Sequence, residues 1–371
     1  MSAGVCRWGI LGTAGIARKN WAAIRNAENS ILAGVASRDL GRCEQYITEC
    51  QSSVPFDPSP RAFGSYEAML ASDEIDAVYI PLPTGIRKEW AIRAVRAGKH
   101  VLGEKPSGIS AAEVEEILAA CRDHNVQYMD GVMFMHSKRL DRIREVLDDG
   151  RSVGQIKRVA SQFSFRAGGD FWEQNIRVDS ELEPLGCLGD LGWYNIRFLL
   201  WVMNWRLPEK VSGRLLTESG RADDPAGVPI EFSAELFFAD GVSATLYCSF
   251  ITQNSQWAAV SGTEGWLHLS DFVTPRMGSE VEFTVCNDQI NIGGCHFNME
   301  EHVRRHAVRE YSNNQATAQE TNMMRNFAAA VLAGQPNREW GRMALQTQQV
   351  LDACLGSARQ EGALVELGSP A

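Results

Sequence analysis

The sequence predicts an α/β domain with a parallel sheet, followed by an α+β domain built on a large open, mostly antiparallel sheet. Three observations lead there. A chain of 371 residues exceeds one ordinary hydrophobic core, so two domains are expected. Up to about residue 130, short β-rich apolar runs alternate with helical patterns, the grammar of a parallel sheet covered on both faces. After residue 155 the strands lengthen and many alternate apolar with polar residues, as antiparallel strands with one open face do. The boundary falls near 125–135, which gives domains of 1–127 and 128–371.

In the first domain the strands are WGIL (8–11), ILAGVAS (31–37), AVYIPL (77–82), HVL (100–102) and VQYM (126–129). KEWAIRAVRAG (88–98) and SAAEVEEILAACRDHN (110–125) carry helical spacing between them. The segment 43–63, with VPFDPSPRAF inside it, reads as the loosest part, with a short strand near its end. In the second domain the strands are IKRVASQFSF, IEFSAELFF, VSATLYCSFI, AAVSGTEGWLHL and VEFTVCN, with turns at DG (240–241) and TEG (263–265). Helices are expected over roughly 186–203, 317–333 and 339–360.

Composition narrows the function. Hydrophobic residues at 44% and charged residues at 22% suit a soluble globular protein. Lys and Arg number 36 against 46 Asp and Glu, a net charge of −10. That balance, with no basic run, excludes a sequence-independent nucleic-acid binder. The longest apolar segment, FLLWVM (198–203), is far short of a bilayer span, and MSAGVCRWGI does not read as a secretory signal. Nine cysteines, an odd number without a C-x-x-C pair, point to reduced thiols in the cytoplasm and against a zinc ribbon. EEHVRRH (300–306) sets His302 and His306 four apart, but Val303 stands where a metalloprotease needs Glu. A solvated charged helix is expected there, and no metal site.

The turn GTAGIA (12–17) follows an apolar strand and opens a helix-like stretch. Gly12 permits the tight turn, and Ala17 is small enough for close helix–strand packing. Ala14 replaces the usual second glycine of G-x-G-x-x-G, with Gly15 behind it to relieve crowding. In this context Gly12, Thr13, Ala14, Gly15 and Ile16 read as a pyrophosphate turn at a helix N-terminus, in the manner of the Rossmann fold. The second strand ends in Ser37-Arg38 rather than in an acid. A hydroxyl and a guanidinium there, with Arg42 one turn on, suit a 2′-phosphate, so NADP is favoured and NAD less so. Asp39 is the awkward residue, since its carboxylate could serve NAD instead.

GEKP (103–106) places Lys105 before a proline, held extended at the C-terminal edge of a strand, where ligands of open parallel sheets bind. A plain surface lysine is the alternative. In GDLGWYNIR (189–197), Asp190 and Tyr194 share a helical face. A nearby ammonium would favour the phenolate and make Tyr194 a usable proton acceptor. Spacing alone leaves equally open a buried phenol bonded to a backbone carbonyl. Substrate-side candidates are Phe134 and His136 in FMHSKR, and Trp172 and Arg177 in DFWEQNIRV. Each is more often packing or surface than a ligand contact.

GILGTAGIA, ASR, IDAVYIPLP, GKHVLGEKP and GDLGWY, in this order and at these distances, resemble the Gfo/Idh/MocA family over essentially the whole chain. Within it the sequence is similar to the branch of dihydrodiol dehydrogenase and NADP-dependent xylose dehydrogenase. The resemblance implies that Lys105 contacts the reacting hydroxyl or the nicotinamide ribose, and that Tyr194 donates or accepts the proton. It also implies a cis Lys105–Pro106 bond, with Glu104 beside it. PLPT (81–84) matches the family's proline-rich loop, so Pro81 would belong to the cofactor site, Leu82 would back the nicotinamide and Thr84 would lie near the ribose. Arg87 stands where the family usually has histidine, which puts the geometry of that loop in doubt.

The expectation is therefore a cytoplasmic NADP(H)-dependent oxidoreductase that moves hydride at a hydroxyl carbon of a small neutral ring. Asp190 would help orient the site. An aldose such as xylose is the first choice of substrate, and a cyclic trans-dihydrodiol the second. The family resemblance adds a homodimer or higher homo-oligomer through the C-terminal sheet. The rival is a non-catalytic NADP-binding regulator on the same fold. Such a protein typically loses the lysine or the proton donor, and this chain has both.

Overall fold

A computed structural model describes residues 4–221, 224 and 226–367. The chain begins β1 (Cys6–Leu11), α1 (Gly15–Asn26), β2 (Ser30–Ala36), α2 (Leu40–Ser53), β3 (Arg61–Phe63) and α3 (Tyr66–Leu70). It continues β4 (Ala77–Ile80), α4 (Thr84–Arg96), β5 (His100–Gly103), α5 (Ala111–Asp123) and β6 (Tyr128–Asp130). The six strands form one parallel sheet in the order β3-β2-β1-β4-β5-β6. This is the doubly wound order, and the switch at β1/β4 opens a crevice at the strands' C-terminal ends. Strands covered on both faces need apolar residues throughout, and all four residues of β4, AVYI, are buried.

Segment 43–63 departs from expectation in its first half, which belongs to α2. Asp39 caps that helix, and Cys43, Tyr46, Ile47 and Cys50 form its buried stripe. Two of the four are cysteines, which pack as small hydrophobes. The short strand expected near the end is β3.

The later elements are α6 (Lys138–Asp148), β7 (Ile156–Arg166), α7 (Phe171–Gln174), α8 (Trp193–Val202), β8 (Lys210–Ser219), β9 (Val228–Phe237), β10 (Ser243–Ser249) and β11 (Ile251–Gly262). Then come β12 (Trp266–Leu269), β13 (Glu280–Cys286), β14 (Gln289–Gly293), β15 (His296–Glu300) and β16 (Val303–Arg309). α9 (Gln319–Leu332), α10 (Arg338–Ala358) and β17 (Val365–Glu366) follow. Nine strands make one sheet, β16-β13-β12-β11-β7-β10-β9-β8-β17, antiparallel at every junction except β10 with β7. The DG turn works as its residues suggest, with Asp240 at φ 65° and Gly241 at φ 72°.

The two compact units interleave along the chain. One comprises residues up to His136, then Asp179–Pro184 and Tyr311–Gln348; the other comprises Ser137–Val178, Leu185–Glu310 and the chain from Gln349. A cut at 127/128 therefore misses two returns to the first unit. The larger return has a clear cause. α9 buries Met323, Met324, Phe327 and Ala328 in the core that holds Trp8, Ile10 and Trp21, and Phe327 lies 5.0 Å from Trp8 ring to ring.

The expected helix over 300–306 is not formed. His302 precedes β16 and His306 lies within it, stacked on Phe283 at 4.8 Å and 6°. A spacing of four suits one face of a strand as well as one face of a helix, and cross-strand pairing with β13 decides. All nine cysteines are free. Among the described residues no helix is long and apolar enough to cross a membrane.

Candidate active site

The glycine turn is built for close approach. Gly12 sits at φ 112°, where a side chain would be strained, and a methyl there would come 3.2 Å from Leu82 and 3.6 Å from the Tyr66 hydroxyl. α1 starts at Gly15 with Ala14 as an extended N-cap that makes no side-chain cap bond, and its first turn holds no acid. A methyl on Gly15 would meet nothing within 4 Å. An uncapped helix start with open space before it suits an anion.

At the end of β2, Ser37 is buried and its hydroxyl accepts from the Asp39 amide at 3.3 Å. The Asp39 carboxylate in turn accepts from the Arg42 amide at 3.0 Å, the N-cap bond of α2. The awkward acid thus caps a helix through one oxygen, and Arg38, Asp39 and Arg42 are all exposed. Both guanidiniums act on Tyr66. Burial pushes that phenol up, and the two arginines pull it back. Tyr66 packs edge-on against Trp90 at 4.7 Å.

The loop after β4 and the turn after β5 are tied together by Arg87. Its side chain is 3% exposed. Nε and Nη2 donate to the Leu82 carbonyl at 2.9 and 2.6 Å, and Nη1 donates to the Thr84 hydroxyl at 3.3 Å and to the Pro106 carbonyl. The five-donor guanidinium spans acceptors that an imidazole could not reach together. Thr84 donates its amide and its hydroxyl to Glu183, at 3.0 and 2.6 Å. Only 1% of Thr84 is exposed, and its hydroxyl and amide both serve this network. Beside it the Gly85 amide donates to the Leu182 carbonyl at 2.9 Å.

Lys105 follows β5, half-buried, and its bond to Pro106 is cis. Tyr79 donates to one oxygen of Glu104, and the Lys105 amide donates to the other at 3.3 Å. Burial, and then the Glu104 charge, drive the Tyr79 phenol well up, so it stays protonated and remains a donor.

In the second unit, Leu188–Gly192 is one π-helical turn that runs directly into α8. Such turns add a residue to the helix and often mark functional positions. Asp190 lies in this turn, and its carboxylate accepts from Arg177 Nε at 2.7 Å. Tyr194 is 7% exposed and meets Phe163 edge-on at 5.7 Å. Trp172 packs edge-on against Phe171 at 5.3 Å.

An oxidoreductase family model with an NAD-binding Rossmann fold matches residues 6–132, and the model of the C-terminal domain of the GFO/IDH/MocA proteins matches residues 140–268. The chain belongs to the Gfo/Idh/MocA family. This member is 31% identical to D-xylose 1-dehydrogenase (NADP(+)) 2 of Haloferax volcanii over 97% of its own length and 99% of the relative's. It is 29% identical to trans-1,2-dihydrobenzene-1,2-diol dehydrogenase of Mus musculus over 72% of its length and 76% of the relative's. Its fold matches a 3-ketoreductase from Actinomadura kijaniata, solved with NADP and TDP-benzene, with a TM-score of 0.79 and 25% identity over 95% of this chain and 98% of that one.

Phe134 and His136, both expected on the substrate side, have these surroundings in this family member. Phe134 is 1% exposed inside a short 3-10 turn, so no ring can lie on it. His136 meets the Asn326 amide at 3.0 Å through Nδ1 and Trp340 edge-on at 6.1 Å, which ties it to α9 and α10. Arg177 and Asp190, expected on separate grounds, form one ion pair. Sequence reasoning missed Tyr66, Phe163 and Glu183. Tyr66 had a signal, since it follows β3, the neighbour of the strand that ends at Ser37-Arg38. Glu183 had none, because it lies 99 residues from Thr84.

Proposed function

We propose that this chain is an NADP(H)-dependent dehydrogenase or reductase acting on a hydroxyl carbon of a small neutral ring, an aldose first and a cyclic trans-dihydrodiol second. One observation carries the cofactor choice. The acid next to the Ser37-Arg38 pair spends one oxygen on a helix cap, and two exposed guanidiniums stand at the edge of β2. Arg38 and Arg42, with Ser37, would hold a 2′-phosphate, and Gly12–Ile16 would hold the pyrophosphate. Leu82 would back the nicotinamide, with Pro81 beside it in the cofactor loop. When bound, NADP supplies the hydride acceptor or donor.

The protein's own residues move the proton and orient the substrate. Tyr194 takes the hydroxyl proton in oxidation and returns it in reduction. Lys105 contacts the reacting hydroxyl or the nicotinamide ribose. Asp190 holds Arg177 by a charged hydrogen bond, so that the guanidinium presents its other donors in one orientation. Trp172 offers an aromatic face to the ring's C–H side. The relatives named for D-xylose and for a dihydrodiol support both substrate classes.

The test is NADP+ reduction by the purified chain against neutral aldoses, cyclic polyols and dihydrodiols, beside phosphorylated sugars and linear 2-hydroxy acids. Turnover on neutral rings is expected. Turnover confined to the two acidic classes would overturn the substrate assignment.

A further inference from the structure

β13 pairs with β16, and β14 with β15, in one continuous register, so residues 280–309 form a single ribbon whose near half is the edge of the nine-stranded sheet. Val281, Phe283 and Val285 are buried on one side of it. Arg304 and His306 share that side, as the cross-strand partners of Val285 and Phe283. α6 lies there too: Arg139 Nη1 donates to the Glu282 carbonyl at 3.1 Å, and Val146 is buried. Where α6 ends, a cleft of about 760 Å³ opens between the helix, the turn 149–152 and the ribbon. Its volume is that of a small-molecule site. Apart from Val146 and Val303, every described residue of its wall is polar or charged.

The charges of this cleft leave one cation without a counter-charge. Arg304 is held through Nη2, which donates to Asn287 Oδ1 at 2.7 Å and reaches the Ser152 hydroxyl at 3.4 Å. Asn287 is itself fixed, since its Nδ2 donates to the carbonyls of Ser152 at 3.0 Å and Glu264 at 2.7 Å. Among the described residues no carboxylate lies within ion-pair distance of Arg304, and its Nε and Nη1 make no hydrogen bond. The two carboxylates of the wall are already occupied. Glu145 pairs with Arg142 Nη1, while Asp149 accepts from the Arg151 amide at 2.9 Å and from the Ser152 amide and hydroxyl at 2.7 and 2.6 Å. His302 meets Glu300 at 3.3 Å. Arg142 also reaches the ribbon, with Nη2 3.5 Å from His306 Nδ1. A guanidinium can only donate, so the imidazole proton sits on Nε2, which is buried and has no hydrogen-bond partner. Such an unmet donor calls for an acceptor. Burial pulls the His306 imidazole down, and Arg142 and then Arg304 pull it further, against a smaller upward pull from Asp149. Two guanidiniums therefore act on one neutral ring.

We propose that this cleft binds a small hydroxyl-rich phosphate monoester, a sugar phosphate in class, as a ligand distinct from both substrate and nucleotide. Arg304 would give the phosphate charge-assisted hydrogen bonds from its unused donors, and Arg142 would face it from the helix. An anion between the two would also relieve the positive charge that both place on His306. The turn that spends Asp149 on local donors is what leaves the cleft in cationic excess, on a chain whose net charge is −10. Gln289 and Arg151 line the rest of the wall and suit hydroxyls. No Phe, Tyr or Trp lines it, so a nucleotide base would find no ring to stack on. None of these residues belongs to the catalytic or cofactor positions proposed above.

The test is calorimetric titration of the full chain with glucose 6-phosphate and with inorganic phosphate. Glucose 6-phosphate should bind the parent, and more tightly than inorganic phosphate does. Arg304→Gln should weaken that binding by about 10-fold or more, the scale of one charge-assisted hydrogen bond. Arg38→Ala should leave it unchanged, which separates this cleft from the proposed 2′-phosphate site. Far-ultraviolet circular dichroism of Arg304→Gln should match the parent. If that variant unfolds, amide exchange of the parent replaces it, and glucose 6-phosphate is expected to slow exchange at residues 149–152 and 302–306. Four results would each overturn the proposal: no binding at millimolar glucose 6-phosphate, inorganic phosphate bound as tightly, an affinity untouched by Arg304→Gln or lost in Arg38→Ala, or exchange unaltered at those amides.

Discussion

Gly85→Ala would place a methyl 2.1 Å from the Glu181 carbonyl oxygen, with the Glu181 carbonyl carbon at 3.3 Å and Leu182 Cα at 3.5 Å. Those are backbone atoms, so no side chain can swing away. Relief needs roughly 1 Å of movement between α4 and the strap 181–183, since a carbon–oxygen contact prefers about 3.3 Å. Three hydrogen bonds oppose that movement: Gly85 amide to Leu182 at 2.9 Å, Thr84 amide to Glu183 at 3.0 Å and Thr84 hydroxyl to Glu183 at 2.6 Å. Two of them end on a carboxylate and are each worth about 1.5–3 kcal/mol net, the third about 1 kcal/mol. Loosening all three is partial, and alanine's better helix propensity returns roughly 1 kcal/mol. A net local loss of about 2–4 kcal/mol follows. Amide hydrogen exchange reads it directly, as a fall in protection of roughly 30- to 1,000-fold at residues 84, 85 and 181–183. Unchanged protection at those amides would refute the reasoning, because the methyl would then have been accommodated without moving the strap.

The remaining predictions concern cofactor, chemistry and pH. NADPH should bind more tightly than NADH, and Arg38→Ala should remove most of that difference while leaving NADH nearly unchanged; fluorescence titration of both nucleotides decides, and equal affinities in the parent would refute it. Tyr194→Phe should lower turnover by roughly 10²–10⁴ with NADPH still bound, and Lys105→Ala should be at least as damaging; near-parent turnover of Tyr194→Phe, where chemistry limits the rate, would transfer the proton step to Lys105. Asp149 has its carboxyl lowered from 3.8 to about 2: desolvation, the largest single influence, raises it, but the Ser152 hydroxyl, the Ser152 and Arg151 amides and the Arg151 charge together outweigh that. A depressed acid stabilises the fold above its unfolded pKa, so this contribution is complete above about pH 5 and is lost as pH falls through about 2. Asp149→Asn should flatten that part of an acid-unfolding curve, and an unchanged curve would count against the assignment.

Much of the parallel sheet was legible because buried parallel strands announce themselves as apolar runs. β1, β2, β4 and β5 lie on four of the predicted runs to within about two residues. The motifs at Gly12, Ser37-Arg38 and Lys105 were legible for a related reason: each depends on local backbone and on residues adjacent in sequence. α2 was obscured by the proline cluster that follows it and by the cysteines in its buried stripe. The ribbon at 289–300 carried a signal that was missed, since QINIGGCHFNME alternates apolar with polar residues around a Gly-Gly pair. What sequence could not offer is the long-range wiring. Arg87 gains its role only when the carbonyls of Leu82 and Pro106 are brought to it, and the cap that Asp39 makes needs the Arg42 amide placed beside it. The same holds for Phe134, whose place after the last strand of the parallel sheet suggested an open cleft until packing buried it.

Hydride transfer from a carbinol carbon to NADP is the step on which the proposed function stands, and an isotope can follow it. A neutral-ring substrate that turns over, deuterated at the carbon to be oxidised, is converted with NADP+ in ordinary water, and the recovered NADPH is examined by mass spectrometry and NMR. One deuterium per NADPH, at nicotinamide C4, is the expected result. Deuterium released to the solvent, with none in the nucleotide, would contradict it.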